Sequence, residues 1–219
     1  MSTARKIAVI FDMDGVIVDN IKFHQKAWIL FCKLHGFKLT ARQFQEKFNG
    51  RLNSEIFESI FGRKLTKKEI KKYVSEKESL YRKAYSKFIK PVPGIMPFLK
   101  ELEKHGIKTA VATSAPPENV SLILGRIRLR RFFKVILDEA SVKKGKPNPE
   151  VYLKAGKKLG FKPKECIVFE DALLGIQAAK NAGMKVIGIT TTHPKKELKK
   201  ADLVISNFSE INVETLEKL

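Results

Sequence analysis

Ile7, Ala8, Val9, Ile10 and Phe11 form an unbroken apolar run that stops at Asp12-Met13-Asp14-Gly15. A run without polar alternation predicts a strand buried on both faces. Beyond Asp19 the spacing turns helical. Ile21, His24, Ala27, Trp28, Phe31 and Leu34 fall on one i, i+3, i+4 stripe, and Gly36 is placed to stop that helix. Thr40 with Gln43, and Thr66 with Glu69, have the spacing of capping boxes. The first opens another helix; the second opens a long Lys-rich amphipathic one running to about residue 88. Between them Asn49-Gly50 reads as a turn, and Ile56, Phe57, Ile60 and Phe61 mark a further helix. No strand is legible between residues 19 and 90.

Lys90-Pro91-Val92-Pro93-Gly94 punctuates the chain, and strands alternate with helices after it. Helices are expected over residues 95–105, after Pro116-Pro117, over 149–159 and over 172–182. Strands are expected over 107–113, 135–137, 166–170, 186–190 and 203–205. Such alternation implies right-handed crossovers and a parallel sheet. The expected fold class is α/β, a Rossmann-like parallel-sheet core with an inserted all-helical cap domain. Residues 1–18 and 90–219 would form the core, and residues 19–89 the cap.

Composition narrows the setting. The chain has 219 residues, 43% of them hydrophobic, which suffices for one sizeable core or a core plus a small second domain. No apolar stretch approaches the about 20 residues that span a bilayer, and the one after the basic start is too short for a signal peptide. No membrane partner and a cytoplasmic location are expected. Cys32 and Cys166 stand far apart without ligand spacing, so they read as reduced thiols rather than a disulfide or zinc site. With 43 Lys+Arg against 23 Asp+Glu, the formal net charge is +20. That balance suits anionic partners. The basic residues are spread along the whole chain without a nucleic-acid motif, which argues against nucleic acid as the main ligand and for a Lys-rich surface that attracts phosphates. The chain is expected to work as a monomer.

The candidate chemistry sits where predicted strands end. Asp12 and Asp14 lie at the carboxyl end of the first strand, where open α/β sheets bind ligands, and Gly15 suggests that the chain turns there. Two anions so close repel unless a cation or a shared proton intervenes. Thr113-Ser114 ends the next strand and offers hydroxyls and N–H groups ahead of a helix. Lys146 lies in Lys-Gly-Lys-Pro-Asn-Pro, where prolines stiffen the backbone, and Glu170-Asp171 closes a later strand. Each alone is compatible with a cap or turn; together, in this order, they outline an anion-handling site.

Phe11-Asp12-Met13-Asp14-Gly15-Val16-Ile17-Val18-Asp19 resembles the first motif of the haloacid dehalogenase-like superfamily, most closely its β-phosphoglucomutase and sugar-phosphatase branch. The later groups resemble the superfamily's remaining motifs. The resemblance implies a nucleophilic Asp12 and an acid/base Asp14, the latter carried by phosphatases and phosphomutases but not by dehalogenases or ion-pumping ATPases. It further implies Mg²⁺ held by the Asp12 and Asp171 carboxylates and the Asp14 carbonyl, with Glu170 a ligand directly or at one remove. Thr113, Ser114 and Lys146 would hold phosphoryl oxygens. Phe23-His24-Gln25-Lys26-Ala27-Trp28 resembles the branch's cap-entry motif, which places His24 and Trp28 at the substrate, as Gly50 and Arg51 of the cap loop would be. That loop departs from the β-phosphoglucomutase pattern of a lysine just before the glycine and an arginine a few residues after it; here those positions hold Asn49 and Asn53. The expected activity is a phosphatase acting on a small phosphate ester, a sugar phosphate. The alternatives are a phosphomutase and a non-catalytic binding protein with a basic surface. The last would be expected to lose Asp12 or Asp171, and the chain has both.

Overall fold

The computed structural model describes residues 6–219. Among these, six strands form one parallel sheet: β1 (Ala8–Phe11), β2 (Lys108–Ala112), β3 (Val135–Leu137), β4 (Cys166–Glu170), β5 (Lys185–Ile189) and β6 (Leu203–Ile205). Their order is β3-β2-β1-β4-β5-β6, so β1 is central, with Ile10 paired to Ala110 on one side and Val168 on the other. Centrality explains the unbroken apolar run, because both faces of β1 are covered. Val9 and Phe11 join one cluster with Ile95, Phe98, Phe169 and Phe208, while Ala8 and Ile10 join the other with Tyr152, Ala155 and Ile176. The order reverses between β1 and β4, and ligands of doubly wound sheets bind outside the strand ends at that point.

The chain between β1 and the rest of the sheet is helical: α1 (Ile21–Leu34), α2 (Ala41–Lys47), α3 (Asn53–Phe61) and α4 (Lys67–Tyr85). Both expected capping boxes form, at Thr40 with Gln43 and at Thr66 with Glu69. The insert has its own apolar cluster around Trp28, Phe31, Phe44, Ile56 and Phe57. The two crossings between insert and sheet lie side by side, with the N–H of Val92 donating to the carbonyl of Ile17 at 2.9 Å. The remaining helices, α5 (Ile95–Lys104), α6 (Pro117–Arg126), α7 (Glu150–Leu159), α8 (Leu173–Asn181) and α9 (Val213–Glu217), flank the sheet. Leu34, the last position of the apolar stripe, lies in α1 as expected but is 61% exposed, because successive 3.6-residue turns carry it off the packed face. One expectation is corrected. The long helix stops at Tyr85 rather than near Phe88, which is 60% exposed and stacks on Phe23.

Candidate active site

One further ladder bond sets Asp12. Its N–H donates to the carbonyl of Phe169 at 3.0 Å, continuing the β1–β4 pairing past the strand end. The neighbouring turn brings Gly15 against Asp171. Gly15 has φ +81°, and a Cβ there would lie 2.0 Å from Asp171 Oδ2, so only glycine fits. Lys146 Nζ donates to Asp12 Oδ1 at 2.9 Å and to Glu170 Oε1 at 2.5 Å, and Tyr152 donates to the same Glu170 oxygen at 2.5 Å. Glu170 Oε2 accepts from the N–H groups of Asp171 and Ala172, both at 3.0 Å. Glu170 is therefore engaged on both oxygens and sits behind the pocket, where it holds Lys146 and the start of the next loop.

Charge at this edge is unbalanced. Asp12, Glu170 and Asp171 offer oxygens within 4.8 Å of one another, against the single Lys146 ammonium. Burial raises Asp12 to about 7 although Lys146 opposes the shift, with Glu170 and Asp14 adding to it. Burial, Glu170 and Asp12 likewise hold Asp171 well above the usual carboxylate range. Lys146 stays an ammonium, because its two carboxylate partners outweigh the cost of burying it. Asp171 accepts a bond from Thr192 on Oδ2, but its Oδ1 is buried with no partner. An orphaned carboxylate oxygen among all-oxygen donors fits a hard divalent cation such as Mg²⁺.

Asp14 faces the same pocket from the turn. Its Oδ1 accepts from Asn20 Nδ2 at 2.6 Å, and its Oδ2 lies 3.4 Å from His24 Nε2. Asn20 also meets the Tyr81 hydroxyl at 2.7 Å and accepts from the N–H of Gly15 at 3.2 Å, so it locks this turn to the insert. His24 stacks on Tyr81 with centroids 3.8 Å apart, and its Nδ1 meets Lys77 Nζ at 3.1 Å. An ammonium only donates, so Nδ1 accepts from Lys77, and Nε2 faces Asp14 across 3.4 Å, buried with no hydrogen-bond partner.

On the β2 side, Thr113 Oγ1 accepts from the N–H of Ala115 at 3.2 Å, and Ser114 Oγ donates to the carbonyl of Gly50 at 3.1 Å. The second bond ties the sheet edge to the insert. Asp12, Asp14, Thr113, Ser114, Lys146 and Asp171 thus share one pocket, and the insert lines it with His24, Trp28, Gly50 and Arg51. Trp28 is 2% exposed and packs on Phe57, so it is as much part of the insert's core as of the pocket wall. Arg51 is exposed at the rim.

Sequence reasoning missed several residues at this site. Lys77 and Glu78 are each 1% exposed and line the pocket, yet in a helix crowded with Lys and Glu they look like surface charge. Tyr152 and Thr192, which position Glu170 and Asp171, carry no local signal at all. Asn20 offered one, a capping residue just before α1, but its side chain makes no cap bond and serves Asp14 instead.

A doubly wound parallel sheet with these groups at its carboxyl edge, roofed by helices inserted after β1, defines a hydrolase class. Residues 9–189 match the family described as Haloacid dehalogenase-like hydrolase, and the chain belongs to it. Relatives include a β-phosphoglucomutase from Bacillus subtilis (strain 168), 34% identical over 95% of this chain and 93% of its own. A phosphorylated carbohydrates phosphatase from Thermotoga maritima is 33% identical over 82% of this chain and 83% of its own. The crystal structure of a haloacid dehalogenase-type hydrolase from Entamoeba histolytica superposes with a TM-score of 0.86 at 35% identity, covering 97% of this chain and all of the other. The protein is an enzyme of this family, with phosphatases and a phosphomutase among its relatives.

Proposed function

We propose that the protein is a Mg²⁺-dependent phosphatase that cleaves a small sugar phosphate through an aspartyl-phosphate on Asp12. The observation that carries this reading is the Asp12 carboxylate, pinned by Lys146 beside the unpartnered Asp171 Oδ1, with Asp14 across the same pocket. Asp12 and Asp171 carboxylates and the Asp14 carbonyl would hold the metal, with Glu170 supporting it from behind. When bound, Mg²⁺ supplies the positive charge that lets a carboxylate approach an anionic phosphoryl group.

The protein's own groups do the rest. A carboxylate oxygen of Asp12 forms a bond to phosphorus as the bond to the sugar oxygen breaks, and protonated Asp14 gives its proton to that leaving oxygen. Asp14, now a base, takes a proton from water as the water attacks phosphorus and frees phosphate from Asp12. Asn20 orients Asp14 through its 2.6 Å hydrogen bond, with His24 Nε2 facing the other carboxylate oxygen, while Lys146, Thr113 and Ser114 hold the phosphoryl oxygens. Residues 19–89 act as the cap over this centre. The sequence likeness to a β-phosphoglucomutase favours the mutase as a second reading. Asn49 and Asn53, where that branch has basic residues for a second phosphate, weigh against it.

We read the protein as a monomer acting on a small phosphate ester, with no main role for nucleic acid. No described helix is long and apolar enough to cross a membrane. The free, buried Cys32 and Cys166 favour a reducing, cytoplasmic setting. The test is phosphate release from a panel of sugar phosphates with Mg²⁺, alongside β-glucose 1-phosphate isomerisation. Release that stops on chelation and returns with Mg²⁺ is expected, with Ca²⁺ inhibiting because its larger, looser shell misplaces the nucleophile. Full turnover in excess chelator would remove the metal from the mechanism, and isomerisation outrunning release would make the enzyme a mutase.

A further inference from the structure

The reaction groups occupy one side of the pocket. The other side is built by the insert, and beyond His24, which faces Asp14, its buried polar groups are Asn49, Asn53, Lys77 and Glu78, each less than one-tenth exposed. Positive charge on this wall is cancelled where it is buried. Lys77 Nζ donates to Glu78 Oε1 at 2.8 Å and lies 4.8 Å from the centre of the Trp28 ring. The remaining cation, Arg51, stands at the rim in solvent, where screening weakens its pull.

Glu78 is held rigidly. It accepts from Asn53 Nδ2 at 2.9 Å and from Asn119 Nδ2 at 2.7 Å. Arg82 donates to Asn119 Oδ1 at 3.0 Å, which keeps the amino side of Asn119 turned toward Glu78. Glu139 stands behind Asn53, with Oε2 at 3.3 Å from the same Nδ2. A second phosphoryl group would thus meet the Glu78 carboxylate and a cancelled ammonium rather than a buried free cation. A hydroxyl group meets something else. Three donors on Glu78 leave one of its four lone-pair sites open. Asn49 Nδ2 is buried in the same pocket with no hydrogen-bond partner. A free acceptor and a free donor on one wall complement neighbouring hydroxyls, each of which can both give and take a hydrogen bond.

We infer that this wall reads the hydroxyls of an uncharged polyol and excludes a second phosphoryl group, with Glu78 and Asn49 as the specificity-determining residues. The substrate is then a monophosphate of a neutral sugar or sugar alcohol. The inference rests on the phosphatase reading for the placement of that one phosphate, so its test reads binding and chemistry separately.

Binding is measured by calorimetry with Mg²⁺ on the full chain carrying Asp12→Asn, using a hexose monophosphate and the matching hexose bisphosphate. Chemistry is measured as wild-type hydrolysis of an aryl phosphate. The monophosphate should bind tighter by about tenfold or more, the worth of one hydrogen bond to a charged group. Glu78→Gln should shrink that preference, and Asn49→Ala should lower kcat/KM about tenfold more for the hexose monophosphate than for the aryl phosphate. Equal or tighter binding of the bisphosphate overturns the inference, as does an unchanged preference in a folded Glu78→Gln. If Glu78→Gln does not fold, because Lys77 is left unpaired, Asn49→Ala decides, and equal losses on both substrates overturn it. Absence of aryl phosphate hydrolysis with the monophosphate preference intact would sink the phosphatase reading and leave the assignment of the wall standing.

Discussion

Burial pushes Asp12 up to about 7 while Lys146 pulls the other way, so the protein alone does not fully stabilise the charge on the carboxylate proposed as nucleophile. Asp12→Asn keeps the shape and removes the carboxylate proposed to attack, and turnover and any trapped phosphoryl adduct should both disappear. Asp14→Asn should slow turnover by about 10²- to 10⁴-fold, the usual worth of a general acid/base, while leaving the backbone carbonyl in place. Steady-state rates and adduct trapping check both; most of the activity surviving in Asp12→Asn would exclude the covalent route. A second single-residue prediction concerns Glu139, which burial and the nearby Glu78 raise from 4.5 to about 7. An acid with a raised folded pKa binds more protons folded than unfolded between those values, so its contribution to stability falls as pH rises through that window. Glu139→Gln removes that loss. Its melting temperature relative to the wild type should therefore climb from about pH 4.5 to about pH 7 and level off above, and a difference independent of pH would show that Glu139 titrates normally.

Among the elements, α4 separates what was legible from what was not. Its start was readable, because Thr66 and Glu69 sit at capping-box spacing and satisfy each other's backbone partners in the structure. Thr66→Ala should cost about 1 kcal/mol, seen as a lower melting temperature, with kcat/KM for an aryl phosphate unchanged because the cap lies away from the pocket. A fall in kcat/KM would mean that α4 transmits strain to Lys77. The inward face of α4 was not readable. Lys77, Glu78, Tyr81 and Tyr85 are its buried residues, and half of them are charged, so hydrophobic periodicity points elsewhere. The strands reverse the balance. β1 and β4 were visible as apolar runs ending in carboxylates, since a central parallel strand buries both faces. What no strand pattern carries is the polar support arriving from far away in sequence, such as Tyr152 on α7 or Thr192 after β5.

For the whole molecule, strand and helix alternation was enough to infer the parallel sheet and its interruption after β1, because each unit buries its own apolar face. The short C-terminal helix α9 escaped notice: it has five residues, capped by Asn212, and a single turn gives periodicity little to work with. The net charge of +20 belongs to this scale too. The pocket's own carboxylates repel a phosphate ester, so capture is expected to begin with the field of the surrounding surface lysines, which decays over about 30 Å at 0.01 M salt but about 8 Å at 0.15 M. Raising KCl from about 0.01 to about 0.3 M at fixed free Mg²⁺ should then lower kcat/KM for a dianionic aryl phosphate several-fold. The loss should appear mainly in KM, because kcat reports steps after capture, inside a pocket where salt screens much less. A flat kcat/KM over that range would mean that the basic surface takes no part in drawing in substrate. An equal fall in kcat would instead point to salt acting on the metal or on the packing between the insert and the sheet.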